Sequence, residues 1–140
     1  MKGKYKGYYK YDNPKAQKQI KHEKTFFNIE ITEFDNGKIL GFVEDDIETG
    51  GTPGKGVIKG KKNGNEFFFI KEMPTAAFLI NGEMKTYDKK HPKIYYKGIV
   101  NDNKIEGEWK IKLGFFMSGL MILLGTKTTG TWMMEKITTA

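Results

Sequence analysis

The sequence has no cysteine, no arginine and a single serine, and its only histidines are His22 and His91. Without cysteine the chain can form neither a disulfide nor a thiolate metal site, and it has no thiol nucleophile. The two histidines have no third strong ligand in view, so we expect no zinc site. Ser118 lies in an apolar stretch, where a Ser-His-Asp triad is not expected. We therefore expect no cofactor, no metal and no enzymatic activity.

The net charge is +7, and all 24 basic residues are lysine. Guanine readout and phosphate clamping favour the planar fork of arginine, so the absence of arginine counts against a nucleic-acid partner. The charge is also uneven, because residues 1–24 hold eight lysines against Asp12 and Glu23. Such a segment is more often a solvated edge than a contact for a polyanion or a membrane surface. We therefore do not expect nucleic acid as a partner.

The sequence has no hydrophobic run long enough to cross a membrane as a helix. Its most apolar stretch begins at Phe115 and ends at Leu124, shorter than the ~20 residues that a span requires. It predicts either a buried strand or short helix that plugs a β-barrel, or an exposed lid or patch that contacts a lipid, a ligand or a partner protein. Residues 1–20 lack the apolar core of a secretory signal. Together with the absence of cysteine, this leads us to expect a cytoplasmic protein.

The clearest pattern that is present lies in residues 94–113, where alternation predicts an antiparallel hairpin. A two-residue turn at Asp102 and Asn103 suits such a hairpin. On one face it pairs Val100 with Ile105, Gly98 with Gly107, Tyr96 with Trp109, and Ile94 with Ile111. On the other face it pairs Lys97 with Glu108, and Ile99 with Glu106. A slip by one residue would bury five charged side chains, so the register is strongly specified.

The rest of the chain repeats this pattern. Strands are predicted at residues 3–11, 24–34, 38–44, 57–62, 65–71 and 128–137, with a shorter hairpin over 76–87 that turns at 81–82. Residues 12–23 predict a long loop with room for a helical turn over 16–21. Successive hairpins without amphipathic helices predict an all-β fold. We expect one domain, residues 1–140, built as a single up-and-down antiparallel β-barrel of 8–10 strands.

Two turns decide the pairing of the strands beside them. Over residues 35–37 we expect a three-residue loop, which sets Val43 opposite Ile29 and Gly41 opposite Ile31. Over residues 63–64 we expect a two-residue turn, which sets Lys61 opposite Glu66, Gly60 opposite Phe67 and Ile58 opposite Phe69. The charged pair supports that register.

Five strands carry a glycine beside large residues on the predicted inner face, namely Gly7, Gly60, Gly98, Gly107 and Gly130. Glycines repeated around a sheet suit the bends and close contacts of a small closed barrel. In its length, its meander and its segments Gly7-Tyr8-Tyr9, Gly107-Glu108-Trp109 and Gly130-Thr131-Trp132, the chain resembles the calycins, the barrel group of lipocalins, fatty-acid-binding proteins and avidins. The resemblance implies a barrel and leaves the identity of any ligand open.

The candidate ligand-binding residues are large side chains on the predicted inner face. They are Tyr9, Phe27, Ile58, Phe69, Tyr96, Trp109 and Trp132. These side chains could line an apolar cavity that holds a hydrophobic molecule. They could equally fill the barrel, since eight strands enclose little space.

An acidic segment containing Asp45, Asp46 and Glu48 precedes a glycine-rich run that ends at Gly56. Its spacing does not match a calcium loop. Lys55 is followed by glycine and a strand, whereas a P-loop continues with serine or threonine into a helix. We expect a flexible acidic loop at the barrel mouth.

The leading hypothesis is a non-enzymatic intracellular barrel that binds a small hydrophobic molecule. The alternative is a protein-interaction module that uses the barrel as a scaffold, through residues 113–125 or the acidic loop. Self-association through residues 115–124 would belong to that alternative. An enzyme that uses the acidic loop, with Asp46 as the residue to test, ranks last.

Overall fold

The computed structural model describes residues 1–14, 17–18, 21–74, 76–80, 83–87, 93–112 and 127–137. Of residues 76–80, 83–87, 112 and 127–128 it describes the backbone only. The described residues form ten strands and a short 3-10 turn, Ile47–Thr49. The strands are β1 (Gly3–Tyr11), β2 (Thr25–Asp35), β3 (Lys38–Asp45), β4 (Lys55–Asn63), β5 (Glu66–Glu72), β6 (Ala76–Ile80), β7 (Glu83–Tyr87), β8 (Ile94–Asn101), β9 (Lys104–Lys112) and β10 (Lys127–Lys136).

Eight of these strands close into an antiparallel barrel. The order around it is β1-β2-β3-β4-β5-β8-β9-β10, and β10 pairs with β1 to remove both edges. The predicted all-β, up-and-down barrel is confirmed. Strands β6 and β7 form a separate two-stranded sheet with Leu79 opposite Met84, as expected. The turn at 81–82, the apolar stretch from Phe115 to Leu124 and half of the helical turn expected over 16–21 lie outside the described residues.

The β8–β9 hairpin has the predicted register throughout. Tyr96 lies opposite Trp109, and Lys97 lies opposite Glu108. Asp102 takes a positive φ of 57° in the turn. The register follows from the sequence because a slip by one residue would exchange the buried and exposed faces.

The β2–β3 hairpin also has the predicted pairing, but a different feature produces it. Val43 lies opposite Ile29. The turn is formed by Asn36 and Gly37, both at positive φ, as type I′ turns require. The extra residue sits in the strand, where the register shifts between Ile31 and Glu33. A β-bulge, rather than a three-residue loop, therefore sets this register.

The predicted β4–β5 register is wrong by two residues. The turn is formed by Gly64 and Asn65, one position later than expected, so Lys61 lies opposite Phe68 and not opposite Glu66. Gly64 has a φ of 61°, and glycine at the first central position is typical of a type II′ turn. A shift of two keeps every side chain on its predicted face. It also sets Ile58 opposite Lys71, whereas we expected Phe69 there.

The two ends of the barrel differ in their connections. At one end, tight turns join β2 to β3, β4 to β5 and β8 to β9. At the other end, which we call the long-loop end, the chain links β1 to β2, β3 to β4, β5 to β8 and β9 to β10 through residues 12–24, 46–54, 73–93 and 113–126. Loops rather than the scaffold usually carry function, so the long-loop end is the first place to look for a site.

The barrel interior is filled by large side chains from all eight of its strands. Glycines make room for two of them. The Trp109 ring lies over Gly130, and its Nε1 donates to the Lys10 carbonyl oxygen at 3.1 Å. Trp132 packs over Gly98 in the same way. A methyl group at either glycine would overlap the indole ring above it. Within the described residues, no helix is long and apolar enough to cross a membrane.

Candidate functional site

A lysine and an aspartate form an ion pair inside the barrel, at the long-loop end. Lys71 continues the inward row of Phe67 and Phe69 on β5, and Asp45 continues the inward row that includes Val43 on β3. The Lys71 Nζ lies 2.6 Å from the Asp45 Oδ1. Only 2% and 1% of the two side chains, respectively, remain exposed to solvent. A pair buried this deeply is rare unless each charge is well partnered.

The second carboxylate oxygen of Asp45 accepts two further hydrogen bonds. The backbone N–H of Thr52 donates to Oδ2 at 3.1 Å, and the Tyr9 hydroxyl donates to it at 3.4 Å. Both oxygens of this carboxylate are therefore engaged. Among the described residues, no buried side-chain nitrogen or oxygen is left without a hydrogen-bond partner.

The residues after Asp45 form a loop that is held by several hydrogen bonds. The Asp46 side chain accepts from the Glu48 backbone N–H at 3.2 Å and caps the 3-10 turn. The Thr25 hydroxyl on β2 donates to the Thr49 carbonyl at 2.8 Å and ties the turn to the barrel. This arrangement holds the Thr52 N–H against the Asp45 carboxylate.

Aromatic rings surround the ammonium group of Lys71. Its Nζ lies 5.1 Å from the centroid of the Tyr9 ring and 6.0 Å from that of Phe27. Rings at these distances attract a cation through their quadrupole, more strongly where water is excluded. The site thus places a charged pair beside the aromatic rings of Tyr9 and Phe27.

Three tyrosines near the pair are held in the neutral form. Burial raises the pKa of Tyr9 and Tyr96 well above the usual value of 10, and the nearby Asp45 carboxylate raises both further. Burial, again aided by Asp45, raises the pKa of Tyr11 to about 12. These hydroxyls therefore remain hydrogen-bond donors across the physiological pH range.

All seven predicted ligand-binding residues lie in the buried core, and the structure divides them into two groups. Tyr9 and Phe27 flank the ion pair, and Trp109 meets the Tyr9 ring edge-on at 5.9 Å. Ile58 is fully buried opposite Lys71.

The second group lies deeper in the barrel and centres on Phe69. Its ring stacks on Tyr96 with centroids 4.4 Å apart, and Trp132 meets it edge-on at 5.4 Å. Rings in contact at these distances leave no ligand-sized space between them.

The charged pair was missed because hydropathy argued against it, although strand alternation could have indicated it. Residues 67, 69 and 71 share one face of β5, and residues 41, 43 and 45 share one face of β3. Since the apolar members of each row face the core, a charged residue at the end of the same row faces it too.

The candidate metal and catalytic residues do not assemble into a site within the part of the chain that the structure describes. No group of three or more histidines and carboxylates there could hold a metal ion. His91 and Ser118 lie outside that part. The chain matches no protein-family model, no curated protein and no solved structure.

Proposed function

We propose that this protein is a non-enzymatic, calycin-like barrel that binds a small, largely hydrophobic molecule at its long-loop end. The observation that carries the proposal is the ion pair of Lys71 and Asp45, which lies inside an aromatic core at the long-loop end of the barrel. Clefts with apolar walls and a few convergent polar groups are the usual form of small-molecule sites.

A buried ion pair is weak evidence of a stabilising role. Replacing a buried ion pair by apolar side chains of similar volume is often neutral or stabilising. Charged groups kept in a core beside perturbed tyrosines are more typical of functional sites than of structural ones. The pair is therefore better explained by recognition than by folding.

The polar part of the ligand would sit beside the pair. Because Lys71 donates and Asp45 accepts, the best match is a group that does both, such as an amide or a hydroxyl. The rings of Tyr9 and Phe27 would contact the apolar part. Since the deeper rings pack directly on one another, the ligand would lie on the long-loop side of the pair rather than along the barrel axis.

An enzymatic role is less well supported. The Asp45 carboxylate is already engaged by an ammonium, a backbone N–H and a hydroxyl. The chain has no cysteine, and the part that the structure describes contains no serine.

Native mass spectrometry tests the proposal by comparing the masses of the intact and denatured protein. We expect an added mass of a drug-sized molecule that is lost on denaturation. The variant that carries Asp45→Asn and Lys71→Met should lose this mass. The control, Lys104→Met with Glu106→Gln, removes an exposed pair at 3.6 Å in the β8–β9 hairpin and should keep it. A bare monomer, or equal loading of both variants, would overturn the proposal, and a bare dimer would favour the interaction module.

A further inference from the structure

An open groove with a volume of about 1100 Å³ lies on the outside of the barrel, across strands β4, β5, β8, β9 and β10. The outward rows of these strands contribute Lys59, Lys61, Phe68, Tyr95, Lys97 and Lys110 to its lining. It is separate from the ion pair, whose side chains face the interior.

Strand pairing assembles two lysine–aromatic rows along this groove. In one row Lys61, Phe68 and Lys97 are direct neighbours on β4, β5 and β8. In the adjacent row Tyr95 lies opposite Lys110. Side chains directly opposite one another on the same face are within contact distance, so each ring has a cation beside it.

The rings and cations are in contact. The ammonium groups of Lys61 and Lys97 each lie 5.9 Å from the centroid of the Phe68 ring. Tyr95 leaves 41% of its surface open to solvent. The groove therefore offers two partly exposed rings beside lysines, although Glu108 lies opposite Lys97 on the neighbouring strand.

The charge of the groove favours an anionic partner. Five lysines line it, against the acidic residues Asp12, Glu66 and Glu108. Lysines around a concave surface raise the local concentration of anions and speed their association. All five lysines lie outside residues 1–24, where the sequence concentrates its charge, and only the folded barrel brings them together.

We propose that this groove binds single-stranded nucleic acid without sequence preference. Phosphates would contact the lysines and bases would stack on the aromatic rings, the combination that serves non-specific single-strand binding elsewhere. The rings favour this partner over an acidic peptide, whose carboxylates need no stacking surface. The absence of arginine argues against base readout but not against phosphate contacts, which lysine makes as a point charge.

Fluorescence anisotropy with a labelled oligothymidylate tests the charged part of the groove. The variant Lys61→Gln/Lys97→Gln should bind at least about tenfold more weakly at low salt, and the slope of log K against log salt should fall by about 1.4, or about 0.7 for each lost phosphate contact. The control Lys2→Gln/Lys4→Gln removes equal charge from exposed positions near the N-terminus. Equal weakening in both variants, or no binding by the unaltered protein, would overturn the proposal.

The aromatic side chains of the groove allow a test that distinguishes nucleic acid from an acidic protein as the partner. Tyr95→Ala should weaken oligothymidylate binding at least about fivefold, as loss of one stacked base predicts. Phe42→Ala is the matched control, since Phe42 is equally exposed, at 39%, but lies outside the groove. If polyglutamate competes on equal terms and Tyr95→Ala changes nothing, the groove binds acidic protein and the proposal is wrong.

Discussion

The Nζ of Lys71 and the Oδ1 of Asp45 lie 2.6 Å apart across a strand that belongs to neither residue. Lys71 is on β5, Asp45 ends β3, and β4 runs between them. The pair therefore spans the inner surface of β4 and links strands that share no backbone hydrogen bonds. Because the pair is buried, removing either charge would leave the other without a counter-charge.

The first prediction concerns that coupling. Asp45→Asn should destabilise the fold by about 3–5 kcal/mol, because it leaves the Lys71 ammonium buried without a counter-charge. The double variant Asp45→Asn/Lys71→Met should recover most of this loss, since it removes both charges. Urea unfolding of the two single variants and the double variant measures the coupling directly.

The exposed pair of Lys104 and Glu106 provides the control for this cycle. Its atoms lie 3.6 Å apart, but both side chains face solvent. Water and salt screen such a pair, so its coupling should be at most about 1 kcal/mol. Equal coupling energies in the two cycles would show that burial does not control the interaction.

The pairing of β8 with β9 could be read from the sequence because every cross-strand pair supports it. The two-residue turn leaves no choice of loop length, and apolar pairs alternate with charged pairs along the hairpin. The β2–β3 register was predicted correctly for the wrong reason, since the extra residue forms a bulge and not a longer loop. A longer loop and a bulge in the strand place the same side chains on the inner face. The alternation of polar and apolar residues therefore cannot distinguish the two.

The candidate site could be predicted only in part. Alternation correctly assigned the seven large candidate residues to the interior, because side chains alternate between the two faces of a strand. No knowledge of strand order is needed for that assignment. The ion pair requires the ends of two non-adjacent strands and a loop that folds back to present the Thr52 N–H. The outer groove similarly depends on lysines from several strands. Long-range juxtapositions of this kind depend on strand order and register, which local patterns do not specify.

The second prediction concerns the β8–β9 turn. Asp102 has a φ of 57°, a region that costs a β-branched residue about 1–2 kcal/mol. Asp102→Val should lower the free energy of unfolding by about that amount, and Asp102→Gly should leave it equal or higher. Asn103→Val is the control, because Asn103 is exposed and outside the positive-φ region. Thermal or urea unfolding distinguishes these effects, and equal losses at both positions would argue against the backbone explanation.

The third prediction concerns alkaline pH. Because burial raises the pKa of Tyr11 to about 12, and the pKa of Tyr9 and Tyr96 well above 10, the folded state holds protons that the unfolded chain releases near pH 10. Stability is therefore unaffected by these groups below pH 10 and falls as the pH rises from 10 to 12. Each tyrosine contributes a slope of at most about 1.4 kcal/mol per pH unit.

Urea unfolding at a series of pH values measures this slope. Tyr11→Phe should make it shallower, because one of the late-titrating hydroxyls is gone. Tyr95→Phe removes a hydroxyl from the exposed outer face and serves as the control. A phenolate absorbance titration should show ionisation of the three buried tyrosines only as the protein unfolds. Ionisation of all tyrosines near pH 10 in the folded protein would contradict the assignment.

The fourth prediction concerns the contact of Trp109 with Gly130. A Cβ at position 130 would overlap both the Trp109 ring and the Lys10 carbonyl oxygen to which that ring donates. The indole cannot move away without losing this hydrogen bond, which links β9 to β1 beside the closure of the barrel at β10. Gly130→Ala should therefore cost about 3 kcal/mol or more, at the upper end of overpacking effects.

Gly64→Ala separates this clash from the general effect of replacing glycine. Gly64 has open space around its Cα but a positive φ of 61°, so its replacement should cost only about 1–2 kcal/mol of backbone strain. Near-ultraviolet circular dichroism should change in Gly130→Ala, because Trp109 is displaced, and should be unchanged in Gly64→Ala. If Gly130→Ala costs no more than the control and leaves the tryptophan spectrum intact, the indole does not depend on the glycine beneath it. The close approach would then be tolerant of a side chain, and the recurrence of glycine along the inner faces would need another cause.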